Sequence, residues 1–313
     1  GICRSKFDEK VRRVCPVRET TPGFEPYFSR GRNVIARGIL EGRVGYSDEL
    51  AETLYMCLLC GDCAQQCGSI DMEGGLPKVN SPEICKAMRA DTVRAGYKLP
   101  DGAVTLMEAV ERTHNIFAEL PEERTRWVQP GLKIAKESDT LLFPGCVSSY
   151  RRTEMAALTA RILNNAGVEF TTLGAEEWCC GHVLVLLGEL YGAAEIARRN
   201  VNKFKEMGIK RIISACPSCT LAFKEEYLKL LGEEHVFFEV LNTVEVINEL
   251  ISEGKIKLRK KIKEKVTYHD PCDLGRHQGI YDLPRAVIQS VPGIELIETV
   301  SYTHLTLPTK RIV

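Results

Sequence analysis

The spacing of the cysteines constrains this chain more than any other feature of its sequence. The chain contains 13 cysteines among 313 residues, and most of them fall into two groups that obey different spacing rules. Disulfides do not persist in a reducing cytosol, so clustered cysteines in a chain without a secretion signal indicate metal or redox chemistry. The sequence therefore predicts a protein that binds metal through its cysteines.

The remaining composition excludes several function classes. Lys plus Arg and Asp plus Glu both number 42, and this balance predicts no nucleic-acid partner. The first residues lack the apolar core of a signal peptide, and no apolar run approaches the roughly 18 residues of a membrane span. We predict a cytoplasmic protein with no transmembrane segment, and peripheral attachment to the inner face of the membrane remains open.

The first cysteine group has the spacing of a loop that binds a cubane [4Fe–4S] cluster. Cys57, Cys60 and Cys63 are separated by two-residue gaps, and Cys67 follows after three residues. Such gaps let successive thiolates reach adjacent corners of one cube, while the fourth cysteine serves a second cluster. Structural zinc is the alternative, but zinc ribbons use two separated cysteine pairs. We predict that the fourth ligand of the first cluster is Cys15.

The partner half of this ferredoxin-like pattern is incomplete in the sequence. Cys3 reads as the last cysteine of a similar run, so a second cubane cluster would need Cys3, Cys67 and two ligands upstream of residue 1. We therefore expect the chain to be truncated at its N-terminus. Cys85 fits neither group, and we expect it to be a small buried residue of the core.

The pattern of apolar residues changes along the chain. Apart from a basic turn over residues 29–32, the cysteine-rich first part has mainly helical periodicity. From Asp139 onward, short apolar strands alternate with helices of 10–15 residues, which is typical of a mostly parallel sheet. The predicted fold class is α+β overall, with a helical two-cluster ferredoxin-like N-terminal domain followed by an α/β domain.

The second cysteine group spans the predicted sheet. In such sheets, ligands bind beyond the carboxyl ends of the strands, where this pattern places the cysteines. Five thiolates exceed the four ligands of a closed zinc or cubane site, and adjacent cysteines form a poor disulfide. We expect one unusual cluster site formed by Cys146, Cys179, Cys180, Cys216 and Cys219. We expect Cys272 to lie at the rim of this site.

The motifs resemble those of one protein family. They are Phe143-Pro-Gly-Cys146, Cys179-Cys180-Gly181, Cys216-Pro-x-Cys219 and Tyr268-His-Asp-Pro-Cys272. They are similar to the Cys-Cys-Gly domain family of iron–sulfur oxidoreductases. That family includes the catalytic subunits of heterodisulfide reductase and the iron–sulfur subunits of glycolate, D-lactate and glycerol-3-phosphate dehydrogenases.

The resemblance implies the ligands and the domain organisation. The five-cysteine motif would hold a noncubane [4Fe–4S] cluster that cleaves a disulfide, and Cys272 would be a metal ligand opening a second copy. The intact protein would carry two cubane clusters and one or two clusters at Cys-Cys-Gly motifs. We expect a ferredoxin-like domain over 1–100, a connector over 101–138, one Cys-Cys-Gly domain over 139–260, part of a second over 261–299, and a tail over 300–313 that reads as sequencing-adapter sequence.

Two functions follow from this resemblance. The chain would be an oxidoreductase subunit passing electrons between cubane clusters and the five-cysteine cluster, as in heterodisulfide reductase. Alternatively, it would be the electron-transfer subunit of a flavin-dependent 2-hydroxy acid or glycerol-3-phosphate dehydrogenase, without a substrate site of its own. The sequence has no nucleotide-binding glycine loop, so any flavin would reside on a partner. The expected partner is a flavoprotein dehydrogenase or a membrane cytochrome subunit.

His182 follows the Cys-Cys-Gly motif directly and has two interpretations. It could protonate a released thiolate, or it could be a loop or helix-capping histidine. A single histidine near a predicted metal site favours the second interpretation.

Overall fold

A computed structural model of the protein describes residues 15–67 and 79–298. Cys3, residues 68–78 and the tail over 300–313 lie outside the described residues. Within the described ranges, no helix combines the length and apolarity that crossing a bilayer requires.

The part of the chain before the sheet is helical. Its α-helices are α1 Pro16–Thr20, α2 Ser29–Leu40, α3 Asp48–Tyr55, α4 Asp62–Gln65, α5 Ser81–Arg94 and α6 Asp101–Thr113. Helix α3 is capped by the Ser47 hydroxyl, which accepts a hydrogen bond from the amide of Leu50 at 3.2 Å. A small core of Leu54, Leu59, Cys85 and Met88 holds α3 and α5 together.

The predicted basic turn over residues 29–32 is wrong, because α2 already begins at Ser29. Glycine disfavours helices, but here a close tertiary contact requires it. A Cβ on Gly31 would lie 1.9 Å from the carbonyl oxygen of Glu25, in the 3-10 turn Glu25–Tyr27. Only glycine lets the first turn of α2 pack so closely against that turn.

The sheet predicted after Asp139 is present and parallel. Strands β1 Thr140–Leu142, β2 Arg211–Ser214 and β3 Glu239–Asn242 lie side by side in that order. Outside these strands, Thr171 forms one parallel bridge with Leu141. The flanking helices are α8 Thr153–Asn165, α10 Leu190–Glu206 and α13 Thr243–Ser252.

Both faces of this sheet are buried. Side chains along a strand alternate between the two faces, and each face packs in a different hydrophobic cluster. Leu141 and Ile212 pack in one hydrophobic cluster with Phe204 of α10, whereas Leu142 and Ile213 pack in the other. Continuous apolar strands of this kind are typical of parallel sheets covered on both sides.

A smaller parallel sheet follows, in which β4 Glu264–Val266 pairs with β5 Ile294–Leu296. Helix α14 Asp282–Gln289 lies in the chain segment that connects these two strands. The remaining helices of the described chain are short: α7 Gly145–Tyr150, α9 His182–Leu187, α11 Pro217–Leu221 and α12 Tyr227–Leu231. The α+β class is confirmed. The ferredoxin-like character of the N-terminal part stays a prediction.

Candidate metal centres

The second cysteine group lies where strands and loops lead into short helices. Cys146 is in the first turn of α7, shortly after β1, and Cys216 is the residue before α11, shortly after β2. Cys179 and Cys180 precede α9, and Cys219 lies within α11. Because β1 and β2 are parallel, the starts of α7 and α11 lie at the same edge of the sheet.

The five thiols lie against one another in an unbroken series. Hydrogen bonds link Cys146 to Cys179, Cys179 to Cys180, Cys180 to Cys219 and Cys219 to Cys216. Cys216 is partly exposed, and each of the other four is at most 6% exposed. We call this arrangement the five-cysteine site.

Thiolate character is unevenly distributed over the five-cysteine site. Hydrogen bonds with Cys179 and Cys219 lower the pKa of Cys180 to about 6. The hydrogen bond with Cys219 lowers the pKa of Cys216 to about 7. The pKa values of Cys146 and Cys219 are raised by the hydrogen bonds that they share with neighbouring sulfurs and by burial. The site therefore favours negative charge on some of its sulfurs at neutral pH.

Gly145 leaves the space that the Cys219 sulfur needs. Its backbone is left-handed, with φ of 74°, and a Cβ there would lie 2.8 Å from Cys219 Sγ. Glycine is the residue that adopts this conformation without a steric penalty.

We expect Gly145→Ala to displace Cys219 and to remove the spectral signal of a cluster at the five-cysteine site. Gly167→Ala is the matched control, because Gly167 has a φ of 75° but no atom within 4 Å of the place that an added methyl would take. Electron paramagnetic resonance (EPR) and iron content of both variants test this. Equal retention of iron and signal in both would contradict the steric argument.

A buried ion pair contacts the five-cysteine site next to Cys146. Arg124 Nη1 lies 2.6 Å from Glu177 Oε1, and both side chains are 2% exposed. Arg124 Nη2 lies 3.7 Å from Cys146 Sγ, while Glu177 Oε1 accepts a hydrogen bond from the Gly145 amide at 3.1 Å. The pair thus contacts a thiol and orients the loop that carries it.

His182 is buried and is the first residue of α9. Its Nδ1 lies 3.0 Å from Glu226 Oε2, and its Nε2 lies 3.6 Å from Asp273 Oδ2. Burial lowers the pKa of His182, but the carboxylates of Asp273 and Glu226 outweigh burial and raise it to about 10. The ring is therefore held as an imidazolium between two carboxylates.

Three cysteines of the first group, together with Cys15, surround a separate cavity. Cys15, Cys57, Cys60 and Cys63 line it together with Ser29, Arg32 and Ser81. Cys67 and Cys85 are not among the lining residues. Cys85 is fully buried and hydrogen bonded to Cys57, which agrees with a core position. We call this space the four-cysteine cavity.

The loop that carries these cysteines has two left-handed residues. Leu59 has φ of 52° and Gly61 has φ of 78°. Such turns direct successive backbone amides into one concavity, a common feature of Fe–S and phosphate sites. The Leu59 amide donates to Cys57, and the Asp62 amide donates to Cys60.

Thiol acidity differs within the four-cysteine cavity. The pKa of Cys57 falls to about 6, first because Cys85 donates a hydrogen bond to it and further because Arg32 and Arg89 are close. Burial raises the pKa of Cys63 to about 12, although the Ser81 and Ser29 hydroxyls partly oppose this effect.

Cys272 begins a π turn, Cys272–Arg276, that contacts both sites. Asp273 accepts a hydrogen bond from Ser218, between Cys216 and Cys219, at 2.5 Å. Arg276 donates to the Cys60 carbonyl, and His277 Nε2 lies 3.0 Å from the Leu59 carbonyl oxygen. Residues 273–277 therefore contact the loops of both the five-cysteine site and the four-cysteine cavity.

The residues present fit the iron–sulfur clusters that the resemblance implies. The four-cysteine cavity contains thiols and a buried arginine whose Nε and Nη2 have no partner among the described residues. At the other site, the absence of a side chain at Gly145 makes room for a ligand sulfur. Across residues 15–67 and 79–298, no three Cys, His, Asp or Glu side chains are arranged to hold a single metal ion.

Three buried arginines were not identified from the sequence as site residues. Arg32 lines the four-cysteine cavity, Arg124 contacts Cys146, and Arg89 Nη2 donates to the Cys57 carbonyl at 2.6 Å. Local sequence carries little signal for Arg89 and Arg124, because their partners are as many as 97 residues away.

Comparison with known proteins agrees with the motifs. The family model of the cysteine-rich domain named CCG matches residues 140–224 and 266–305. One subunit of the dihydromethanophenazine:CoB–CoM heterodisulfide reductase of Methanosarcina mazei is 38% identical, over 80% of this chain and 60% of that protein. EtfAB:quinone oxidoreductase from Syntrophomonas wolfei is 33% identical, over 78% of this chain and 34% of that protein.

A more distant relative covers more of the chain. One subunit of the fumarate reductase (CoM/CoB) of Methanothermobacter marburgensis is 28% identical, over 91% of this chain and 54% of that protein. The chain thus spans between about a third and 60% of the length of these relatives. No solved structure gave a significant match.

Proposed function

The chain belongs to the Cys-Cys-Gly domain family of iron–sulfur oxidoreductases, and from that premise we propose that it carries electrons between two iron–sulfur clusters. One is a cubane [4Fe–4S] cluster held by Cys15, Cys57, Cys60 and Cys63. The other lies at the five-cysteine site. Iron–sulfur clusters supply one-electron redox chemistry, and the surrounding protein sets their potentials.

The observation that carries this proposal is the short connection between the two sites. Helix α9 begins directly after Cys180-Gly181 and has six residues, a rise of about 9 Å. At its other end, the Leu186 carbonyl accepts a hydrogen bond from Arg89 at 2.6 Å, and Arg89 also binds the Cys57 carbonyl. One short helix and one arginine thus connect the two ligand loops.

Thiol crowding also supports a metal-bound role for the five-cysteine site. Five sulfurs in contact would repel one another once several of them ionised, and bound metal would relieve that repulsion. The donor set is therefore suited to a cluster, and because five thiolates exceed the four ligands of a cubane site, the cluster in this proposal is noncubane.

The relatives suggest a disulfide as the final electron acceptor. A heterodisulfide reductase polypeptide is 38% identical to this chain, so we propose disulfide reduction, in which two electrons and two protons convert a disulfide into two thiols. The second candidate is electron transfer alone, for a flavoprotein dehydrogenase partner. Burial of Cys146, Cys179, Cys180 and Cys219 favours this candidate, because a substrate disulfide has little access to them.

A partner protein and a location follow from the proposal. Electrons must enter or leave through another protein, which we propose to be a flavoprotein dehydrogenase or a membrane cytochrome subunit. The protein would then work in the cytoplasm, free or attached to the inner face of the membrane.

We expect the anaerobically purified protein to contain about four iron and four acid-labile sulfide for each cubane loop, with zinc only minor. Elemental analysis and sulfide determination measure this. One or two zinc per chain without labile sulfide would refute the iron–sulfur proposal.

A separate experiment distinguishes the two candidate functions. Dithionite-reduced protein is mixed with a low-molecular-weight disulfide, and released thiols and cluster oxidation are followed together. Thiol release in proportion to cluster oxidation supports disulfide reduction. Clusters that a flavoprotein can reduce or oxidise, but that leave the disulfide intact, favour electron transfer alone.

A further inference from the structure

Arg32 is a buried cation beside the thiols of the four-cysteine cavity. Its side chain is 2% exposed, and it lines the cavity with Cys15, Cys57, Cys60 and Cys63. Nε and Nη2 of its guanidinium have no hydrogen-bond partner among the residues that the structure describes. Burying an unpaired charge is strongly unfavourable, so this position calls for an anion.

The other buried arginines of the described chain have different surroundings. Arg89 donates to the carbonyl oxygens of Leu54, Cys57 and Leu186. Arg124 is neutralised by Glu177 at 2.6 Å. No carboxylate forms an ion pair with Arg32 within the described ranges, so its charge is available to whatever occupies the cavity.

The fold holds Arg32 in this position. Close packing of Gly31 against the Glu25 carbonyl brings the first turn of α2 to the cavity. Ser29, three residues before Arg32, lines the same cavity and donates toward Cys63. Residues three apart share a helix face, whereas Arg30 points away and is exposed.

We propose that Arg32 is a positioning residue that donates hydrogen bonds to the anionic cluster in the four-cysteine cavity and raises its reduction potential. The inference rests on the proposed presence of that cluster. Adding an electron increases the cluster's negative charge, and a fixed cation in a poorly solvated site stabilises the reduced form more than the oxidised form. Net charge and hydrogen bonds to sulfur are established determinants of such potentials.

The test compares Arg32→Gln, Arg32→Lys and Arg30→Gln in the full-length protein, with cluster potentials from EPR-monitored redox titration and iron content measured in parallel. Arg30→Gln makes the same charge change on the exposed side of α2. We expect Arg32→Gln to reduce the equilibrium constant for reduction of the cavity cluster at least tenfold, which is about 59 mV for one electron. Arg32→Lys should retain most of the potential, and Arg30→Gln should leave it unchanged.

The outcomes separate this inference from the proposed function. Full iron content with the same potential in Arg32→Gln and Arg30→Gln would overturn the role of Arg32. Loss of iron in Arg32→Gln but not in Arg32→Lys would support a requirement for the charge. Loss of iron in both Arg32 variants would indicate a packing role and overturn the inference. Wild-type protein without a cluster at this cavity would instead refute the proposed function.

Discussion

Replacing Cys179 or Cys180 with alanine is expected to abolish the spectral signal of the five-cysteine cluster while the cubane signal remains. Both sulfurs lie in the middle of the linked series, with Cys146 on one side and Cys219 on the other. Removing either sulfur interrupts this series, so the remaining cysteines on its two sides no longer form one continuous set of ligands for a cluster. The four-cysteine cavity shares no residue with this series, so its ligands stay in place.

EPR spectra of the dithionite-reduced variants, with iron content, measure this effect. Cys85→Ala is the matched control, because Cys85 is a fully buried thiol that lies outside both proposed ligand sets. We expect it to retain both signals. An unchanged spectrum in Cys179→Ala and Cys180→Ala would show that the pair is not a ligand, and loss of both signals would show that the two halves do not load independently.

The placement of Cys146 and Cys216 at one edge of the sheet was predictable because parallel strands obey a simple geometric rule. Alternation of strand and helix predicts that strands end at a common edge, and Cys146 and Cys216 follow β1 and β2 by a few residues. The apolar runs Leu141-Leu142 and Ile212-Ile213 mark these strands. No long-range pairing had to be guessed to place the cysteines at that edge.

The supporting residues were not predictable because their contacts are long-range. Residues 29–32 read as a turn because Gly31 weakens a helix locally, yet the contact with Glu25 requires that glycine. Arg124 lies in a charged, proline-containing segment that reads as a connector, and its partner Glu177 is 53 residues away. A buried charge of this kind has no local pattern that distinguishes it from an exposed one.

His182 illustrates the same limit at the five-cysteine site. Its position after Cys180-Gly181 was evident, but its partners lie far along the chain. Glu226 is in the π turn Ala222–Glu226, and Asp273 is in the π turn Cys272–Arg276. Such π turns occur often at functional sites, and sequence periodicity does not reveal them. The two carboxylates beside His182 could therefore be identified only from the three-dimensional structure.

Arg124→Met is expected to destabilise the protein by about 3–5 kcal/mol, because it leaves the Glu177 carboxylate buried without its partner. Burial already raises the pKa of Glu177 to about 7 despite the neighbouring Arg124, so losing the cation removes the main group that favours its charged form. The free energy of unfolding, from urea denaturation followed by circular dichroism, measures the loss. We expect a weaker five-cysteine signal as well, since Arg124 contacts Cys146 Sγ.

A double-mutant cycle separates the ion pair from side-chain packing. Glu177→Gln keeps an acceptor for the Gly145 amide but removes the charge, so combining it with Arg124→Met should cost less than the sum of the two single changes. Arg126→Met is the control: Arg126 pairs with Glu123 in the same segment, but its side chain is 55% exposed, and such surface pairs contribute at most about 1 kcal/mol. Additive costs in the cycle, or equal losses in Arg124→Met and Arg126→Met, would contradict the assignment of Arg124 and Glu177 as a buried pair that supports the five-cysteine site.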